Sequence, residues 1–244
     1  MQSYSVLAKY YDRFTQNDCD YESWSQYLCT VAQAHNVRAI VDLACGTGKM
    51  TALLSTRGYK LIGVDRSQEM LQQAHEKCRA LFVQQDVREL SLPHPADMAV
   101  VVCDGINYLK NDELVPFFAN LSQNIRDGAP LAFDVSTPYK LRNLADKVYF
   151  VDDDDATLLW TNRLRANALT MDLTLFERVP GATPDSATYL RRDETHTQYM
   201  HTRETLSAAL AAANFTLVEV STDYGKPYSD TALRHTYYAV YKGM

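Results

Sequence analysis

The sequence predicts an α/β fold: a doubly wound, mostly parallel sheet with helices on both faces and an antiparallel β insertion after strand five. Three observations carry this reading. Short apolar runs alternate with helix-period segments from position 38 to position 135. The first run ends in a turn with two glycines spaced by one, Gly46-Thr47-Gly48, and three runs each bring an acid to their end: Asp42, Asp65 and Asp86. After Asp134 the texture becomes β-rich, with short polar connections.

Taken in order, 7–14 leads into a helix on which Tyr21, Trp24, Tyr27 and Leu28 share one face. Tyr27 and Leu28 are expected to pack on the sheet. Strands are expected near 38–43, 60–64, 80–84, 97–103 and 129–135, with helices at 48–57, 67–78 and 111–126 between them. Ser67 and Asn111 are suited to be N-caps, and Gly58 and Gly128 fall where helices should stop. The β-rich part reads as three strands, 156–164, 169–178 and 189–200, separated by 165–168 and by the turn-rich 180–185. A helix at 203–213 and strands at 215–222 and 234–242 close the chain.

Glycines at a strand-to-helix turn admit left-handed backbone and the close approach of a ligand, because no Cβ intervenes. The acid sets the charge of that ligand. A carboxylate at Asp42 would repel a dinucleotide pyrophosphate but suits an ammonium or sulfonium group, which points to S-adenosylmethionine rather than NAD. The dinucleotide fingerprint also lacks its third glycine, since Thr51 stands there. A P-loop is excluded by Leu43 and Met50 at the positions of its first glycine and its hydroxyl residue. Asp65 follows Gly48 by 17 positions, where an acid can take both hydrogens of a ribose diol. Ligands of open α/β sheets lie beyond the carboxyl ends of the strands, so the three acids should converge on one crevice.

Asp42 to Gly48, then Gly63-Val64-Asp65-Arg66-Ser67 with Met70-Leu71, then Gln85-Asp86-Val87, resemble the successive motifs of class I S-adenosylmethionine-dependent methyltransferases. The resemblance implies a seven-stranded, Rossmann-like sheet whose last two strands pair antiparallel at one edge. It implies that Asp42 and the loop Ala44, Cys45, Gly46, Thr47 and Gly48 face the methionine end of the cofactor. Asp65, with Arg66 beside it, would hold the ribose, Met70 would pack on the adenine, and Asp86 with Val87 would read the adenine edge. The N-terminal Tyr-Asp and Tyr-x-x-Trp segments are similar to the lid of small-molecule methyltransferases, with Tyr11 and Trp24 over the sulfonium. The chain thus divides into a helical lid, 1–36, and a methyltransferase domain, 37–244, carrying the insertion at 148–200 on the substrate side.

The acceptor should meet the end of the fourth strand, where Cys103 would border the cofactor and Asp104, Asn107 and Tyr108 would contact substrate. In the insertion Glu194 and His196 share one strand face, with His196 a candidate general base and Glu194 its orienting partner. Tyr199 and Arg234 are further substrate candidates by resemblance to uncharacterised bacterial methyltransferases with this lid. Where those relatives carry a basic residue near Tyr199, this chain reads Tyr199-Met200-His201.

At 244 residues the chain has room for one α/β domain and a small insertion. A net charge of −6 argues against nucleic acid as partner. Five cysteines without a CxxC pair suggest neither a disulfide framework nor a zinc site, and a cytoplasmic setting. Asp152 to Asp155 is expected to be a solvated turn rather than a metal site. No signal peptide or membrane span is expected, and the partner is a small molecule, with the protein a monomer or homodimer. Two other functions stay open at this point: an NAD-dependent oxidoreductase and a non-catalytic S-adenosylmethionine-binding module.

Overall fold

A computed structural model of the protein describes residues 4, 6–15, 19–179, 181 and 188–243. The five apolar runs form parallel strands β1 (Ala39–Leu43), β2 (Lys60–Asp65), β3 (Leu81–Gln84), β4 (Met98–Val101) and β5 (Pro130–Ser136). In chain order between them lie α3 (Lys49–Thr56), α4 (Gln68–Lys77) and α5 (Leu114–Ser122), preceded by α1 (Ala8–Phe14) and α2 (Tyr21–Ala34). After β5 come α6 (Pro138–Leu144), then β6 (Val148–Asp152), β7 (Ala156–Arg165), β8 (Ala168–Arg178) and β9 (Tyr189–Tyr199). The chain returns through α7 (Arg203–Ala212), β10 (Phe215–Thr222) and β11 (Arg234–Tyr241).

The main sheet has seven strands in the order β10-β11-β5-β4-β1-β2-β3, with β11 antiparallel to both β5 and β10. Its central strands are apolar on both sides because helices cover both faces. On one face Phe117, Phe118 and Leu121 of α5 and Leu206 and Leu210 of α7 pack with Phe133, Phe215 and Tyr237. On the other, Trp24 and Leu28 of α2 and Met50 and Leu54 of α3 pack against Ile40, Met98 and Val100. Strand order reverses between β1 and β4, so a crevice opens beyond their carboxyl ends.

The second sheet is antiparallel in the order β6-β7-β8-β9. Its strand β6 was not expected from the sequence: all five of its residues are exposed, so the continuous Val-Tyr-Phe-Val run shows no alternation to mark a half-buried strand. Helix α1 lies on the sheet through Leu7 and Tyr10, which pack with Ala156, Leu158, Leu173 and Leu175. The acidic turn after β6 is tied to α1, with Arg13 bridging Asp153 at 2.8 Å and Asp155 at 2.6 Å.

Three local expectations change. The helix expected at 111–126 is one tight turn, Asn111–Glu113, followed by α5. Asn111 does not cap it: the capping position is Lys110, whose N–H donates to the Glu113 carboxylate at 2.8 Å, while Asn111 Oδ1 pairs with His201 Nδ1 at 2.8 Å. Gly128 (φ +72°) lies six residues beyond α5, in the turn that enters β5, so it does not stop a helix. α6 was also unanticipated, although Thr137 caps it by accepting from Lys140 N at 3.0 Å and Pro138 opens it. By contrast Ser67 caps α4, accepting from Met70 N at 3.2 Å. The turn expected at 180–185 lies outside the described residues except for Gly181.

Gly48 starts α3 at φ +74°, and a Cβ there would stand 2.7 Å from Ala74 Cβ on α4. Gly48→Ala therefore strains the backbone and forces α3 and α4 apart. We expect a loss of at least about 2 kcal/mol in urea unfolding, and an unchanged midpoint would show that the turn relaxes freely.

Candidate active site

The crevice is built from its floor upward. Ala44 (φ +53°), Gly46 (φ +54°) and Gly48 (φ +74°) turn the chain sharply between β1 and α3. Asp65, at the end of β2, holds that turn: its Oδ2 accepts from Gly46 N and its Oδ1 from Ser67 N, each at 2.9 Å. The Arg66 backbone is a further donor to this carboxylate, and the acceptor capacity that remains serves a ligand hydroxyl. Burial raises the pKa of Asp65, partly offset by those backbone donors.

Asp42 sits beneath the turn, 1 % exposed, and accepts from Thr51 Oγ1 at 2.5 Å. Burial pushes its carboxyl up to about 7, against the opposing Thr51 hydrogen bond and with the Asp65 charge adding to the rise. Met70 on α4 is buried, and Asp86, at the end of β3, accepts from Arg88 N at 3.0 Å and from the Arg88 guanidinium. That guanidinium holds the Asp86 carboxyl below its ordinary value.

The opposite wall is the carboxyl end of β4. Cys103 and Asp104 adopt left-handed backbone (φ +61° and +65°), and both donate their N–H to Asp134 at 2.8 Å. Asp134 also accepts from Tyr224 Oη at 2.5 Å and is paired with Arg234, whose Nη1 lies 2.6 Å from Asp104 Oδ1. Burial opposes ionisation of Asp104, yet the Arg234 and Lys140 charges outweigh it and hold its carboxyl well below the carboxylate range.

The roof comes from the N-terminal segment. Tyr4, Tyr11 and Tyr21 overhang the crevice with Tyr108 beside them, and the Tyr4 and Tyr108 hydroxyls are hydrogen-bonded. Asp12 pins this roof to the glycine turn: it accepts from Thr47 Oγ1 at 2.7 Å and pairs with Lys77 at 2.9 Å and Lys49 at 3.4 Å.

Of the residues singled out from the sequence, Asp42, Asp65 and Asp86 converge on this crevice, together with Ala44, Cys45, Gly46 and Thr47. Tyr11, Arg66, Met70, Val87, Cys103 and Tyr108 line it as well. Gly48 shapes the turn without lining the crevice. The others stand elsewhere. Trp24 is 1 % exposed, stacks on Tyr224 at 4.7 Å and donates its indole N–H to Asp223 at 2.9 Å, so it is a core residue rather than a lid contact. Asn107 is fully buried and spends its amide on backbone: Nδ2 donates to Ser136 O and Tyr199 O, and Oδ1 accepts from Ser136 N. Tyr199 meets the turn through that carbonyl. Arg234 lies under the β4 end, 4.7 Å over the Trp24 ring, locked between Asp104 and Asp134.

Glu194 and His196 lie together, His196 Nε2 3.5 Å from Glu194 Oε1, but behind the roof rather than in the crevice. Glu194 Oε2 accepts from Val6 N at 3.2 Å and Leu7 N at 3.1 Å, so this carboxylate anchors the N-terminal segment. The His196 ring lies 4.2 Å from that of Tyr4, and burial pushes its pKa down to about 4. Sequence reasoning missed Tyr4, Tyr21 and Arg88. The density of tyrosine before position 28 and the Asp86-x-Arg88 spacing were their available signals.

Among the described residues no group of three or more His, Cys, Asp or Glu is placed to hold a metal ion. Among them, too, no helix is long and apolar enough to cross a membrane. The crevice fits S-adenosylmethionine: buried Asp42 keeps an oxygen for a cation, Asp65 keeps acceptor capacity for a diol, and apolar Met70, Val87 and Leu109 offer faces to a flat ring.

Residues 40–128 match the family of methyltransferase domains. YqeM of Bacillus subtilis (strain 168), named as a methyltransferase, is 29% identical over 230 residues, covering 91% of this chain and 90% of its own. A solved S-adenosylmethionine-dependent methyltransferase from Clostridium acetobutylicum ATCC 824 is 27% identical with a TM-score of 0.86, covering 98% of this chain and 99% of its own. Glycine N-methyltransferase of Homo sapiens is 26% identical over 226 residues, covering 80% of this chain and 74% of its own. The chain carries a methyltransferase domain, and its activity is S-adenosylmethionine-dependent methyl transfer, with S-adenosylmethionine as its cofactor. Neither an oxidoreductase nor a non-catalytic binding module is favoured.

The buried Asp42 makes a signed prediction. Its folded pKa, about 7, lies above the unfolded value of about 3.9, so the folded state holds the proton more tightly. Its ionisation then costs stability progressively as pH rises from about 4 towards 7, by up to roughly 4 kcal/mol. In cofactor-free protein, Asp42→Asn should flatten that decline, and parallel wild-type and variant curves of unfolding free energy would reject the buried-acid reading.

Proposed function

We propose that this methyltransferase transfers the methyl group to the amino nitrogen of a small-molecule acceptor. The cofactor, when bound, supplies both the methyl group and its own leaving group, so the protein needs to bind, orient and exclude water. Asp42 and the backbone of the glycine turn hold the methionine end, Asp65 takes the ribose hydroxyls, and Met70 and Val87 sandwich the adenine whose edge meets Asp86. Tyr11, clamped down through Asp12, keeps water from the sulfonium.

The observation that carries the choice of nitrogen is the protonation state of the acceptor end. Asp104 is neutralised by Arg234 and Lys140, and burial holds the Tyr4 and Tyr11 hydroxyls well above their ordinary range and pushes Tyr108 up to about 12. His196, at about 4, is neutral and a weak base at physiological pH. None of these groups is poised to strip a proton from an alcohol near neutrality. An amine attacks as its free base and afterwards sheds a proton to water. The faces of Tyr4, Tyr11 and Tyr108 favour a positively charged group in both cofactor and product. The name of the human relative, glycine N-methyltransferase, agrees with this reading.

Two measurements test it. If Asp42 receives the ammonium of the cofactor, binding favours its ionised form and expels a proton below about pH 7, so affinity should rise as pH rises through that region. Titration calorimetry in buffers of different ionisation enthalpy reads this release directly, and buffer-independent heats would remove Asp42 from the site. With labelled S-adenosylmethionine, small primary amines should yield base-stable methyl products, whereas the corresponding acids should yield none. Base-labile methyl esters as the main product would overturn the assignment to nitrogen.

A further inference from the structure

Two thiols that are 84 positions apart meet at the edge of the crevice: Cys19 Sγ stands 3.3 Å from Cys103 Sγ. Cys19 lies in the connection between α1 and α2, half-buried, and Cys103 follows β4 on the crevice wall. Arg234 Nη2 lies 3.9 Å from Cys19 Sγ, and Tyr21 Oη lies 3.0 Å from Cys103 Sγ. The two sulfurs need to approach by little more than 1 Å to reach bonding distance, about 2.05 Å.

We propose that Cys19 and Cys103 are an oxidation site, joined by a hydroperoxide into a reversible disulfide that fastens the roof of the crevice to its wall and slows cofactor exchange. The Cys103 contact and the Arg234 charge favour the Cys19 thiolate, which lies below the ordinary thiol range, whereas burial pushes Cys29, Cys45 and Cys78 above it. Cys19 is therefore the attacking sulfur. Its thiolate forms a bond to one peroxide oxygen as the O–O bond breaks, giving a sulfenic acid and hydroxide. The Cys103 sulfur gives up its proton and attacks Cys19; the S–S bond forms, the S–O bond breaks, and the departing hydroxide leaves with that proton as water. Two electrons pass from the thiol pair to the peroxide.

The consequence follows from where the bond sits. Tyr11 and Asp12 of the roof are on α1, eight and seven residues before Cys19, and Tyr11 lines the crevice that the cofactor enters. A covalent tie from Cys19 to the β4 end restricts the opening that exchange requires.

The test oxidises the full chain with hydrogen peroxide and counts free thiols, which should fall from five to three with a single Cys19–Cys103 cross-linked peptide on non-reducing digestion. Release of S-adenosylhomocysteine should slow in the oxidised protein and recover on reduction. Cys19→Ser, with Cys19→Ala as the second variant, should release S-adenosylhomocysteine at one rate before and after peroxide. A cross-link between other cysteines, Cys19 accumulating as sulfinic acid beside free Cys103, or unchanged release from cross-linked protein would each overturn the proposal. The thiol map is read without cofactor, so its failure is distinguishable from a failure of cofactor binding.

Discussion

Asp134 is the carboxylate on which the catalytic end of the sheet depends. Fully buried at the carboxyl end of β5, it accepts from the N–H groups of Cys103 and Asp104, from Tyr224 Oη and from Arg234. Those partners come from the turn after β4, from the loop after β10 and from β11, so one side chain joins the ends of two central strands to the antiparallel edge. Two consecutive non-glycine residues in left-handed backbone cost energy, and paired, charge-assisted hydrogen bonds offset it. Removing one member of such a group strands a buried charge, which is why the cluster acts as a unit.

The second dependency runs through the N-terminal segment. Helix α1 has the insertion sheet on one side and the glycine turn on the other, and each contact is chemically distinct. Leu7 and Tyr10 are held by apolar packing, while Asp12 is held by Thr47, Lys49 and Lys77. Glu194 adds a third attachment by accepting from Val6 N and Leu7 N. Residues far apart in sequence thereby decide whether the tyrosine roof is closed. The Asp12 ion pairs are partly exposed, whereas Glu194, Leu7 and Tyr10 are buried, so the attachment to the glycine turn opens at smaller cost than those to the antiparallel sheet.

The parallel sheet was legible because its cues are local. The alternation of apolar runs with helical periods, the Ser67 cap and the glycine turn each act within a few residues of themselves. The acids Asp42, Asp65 and Asp86 were legible for a related reason: a parallel sheet brings all its strand ends to one edge, so position at a strand end is already position in space. Trp24, Asn107 and Arg234 read as ligand contacts because their chemistry would serve there equally well. Their actual partners, Asp223, the Ser136 and Tyr199 backbones, and Asp134, are remote in sequence, and no local pattern announces them.

By itself, then, the sequence determined the crevice at the strand ends and its floor of three acids, since each follows from short-range geometry repeated along a parallel sheet. Only the tertiary structure decided which side chains were consumed by the scaffold. It took Glu194 for the N-terminal amides, placed His196 behind Tyr4 where burial keeps it neutral, and brought Cys19 against Cys103. These outcomes depend on desolvation and on partners more than 80 positions away, and both come into existence only when the chain has folded.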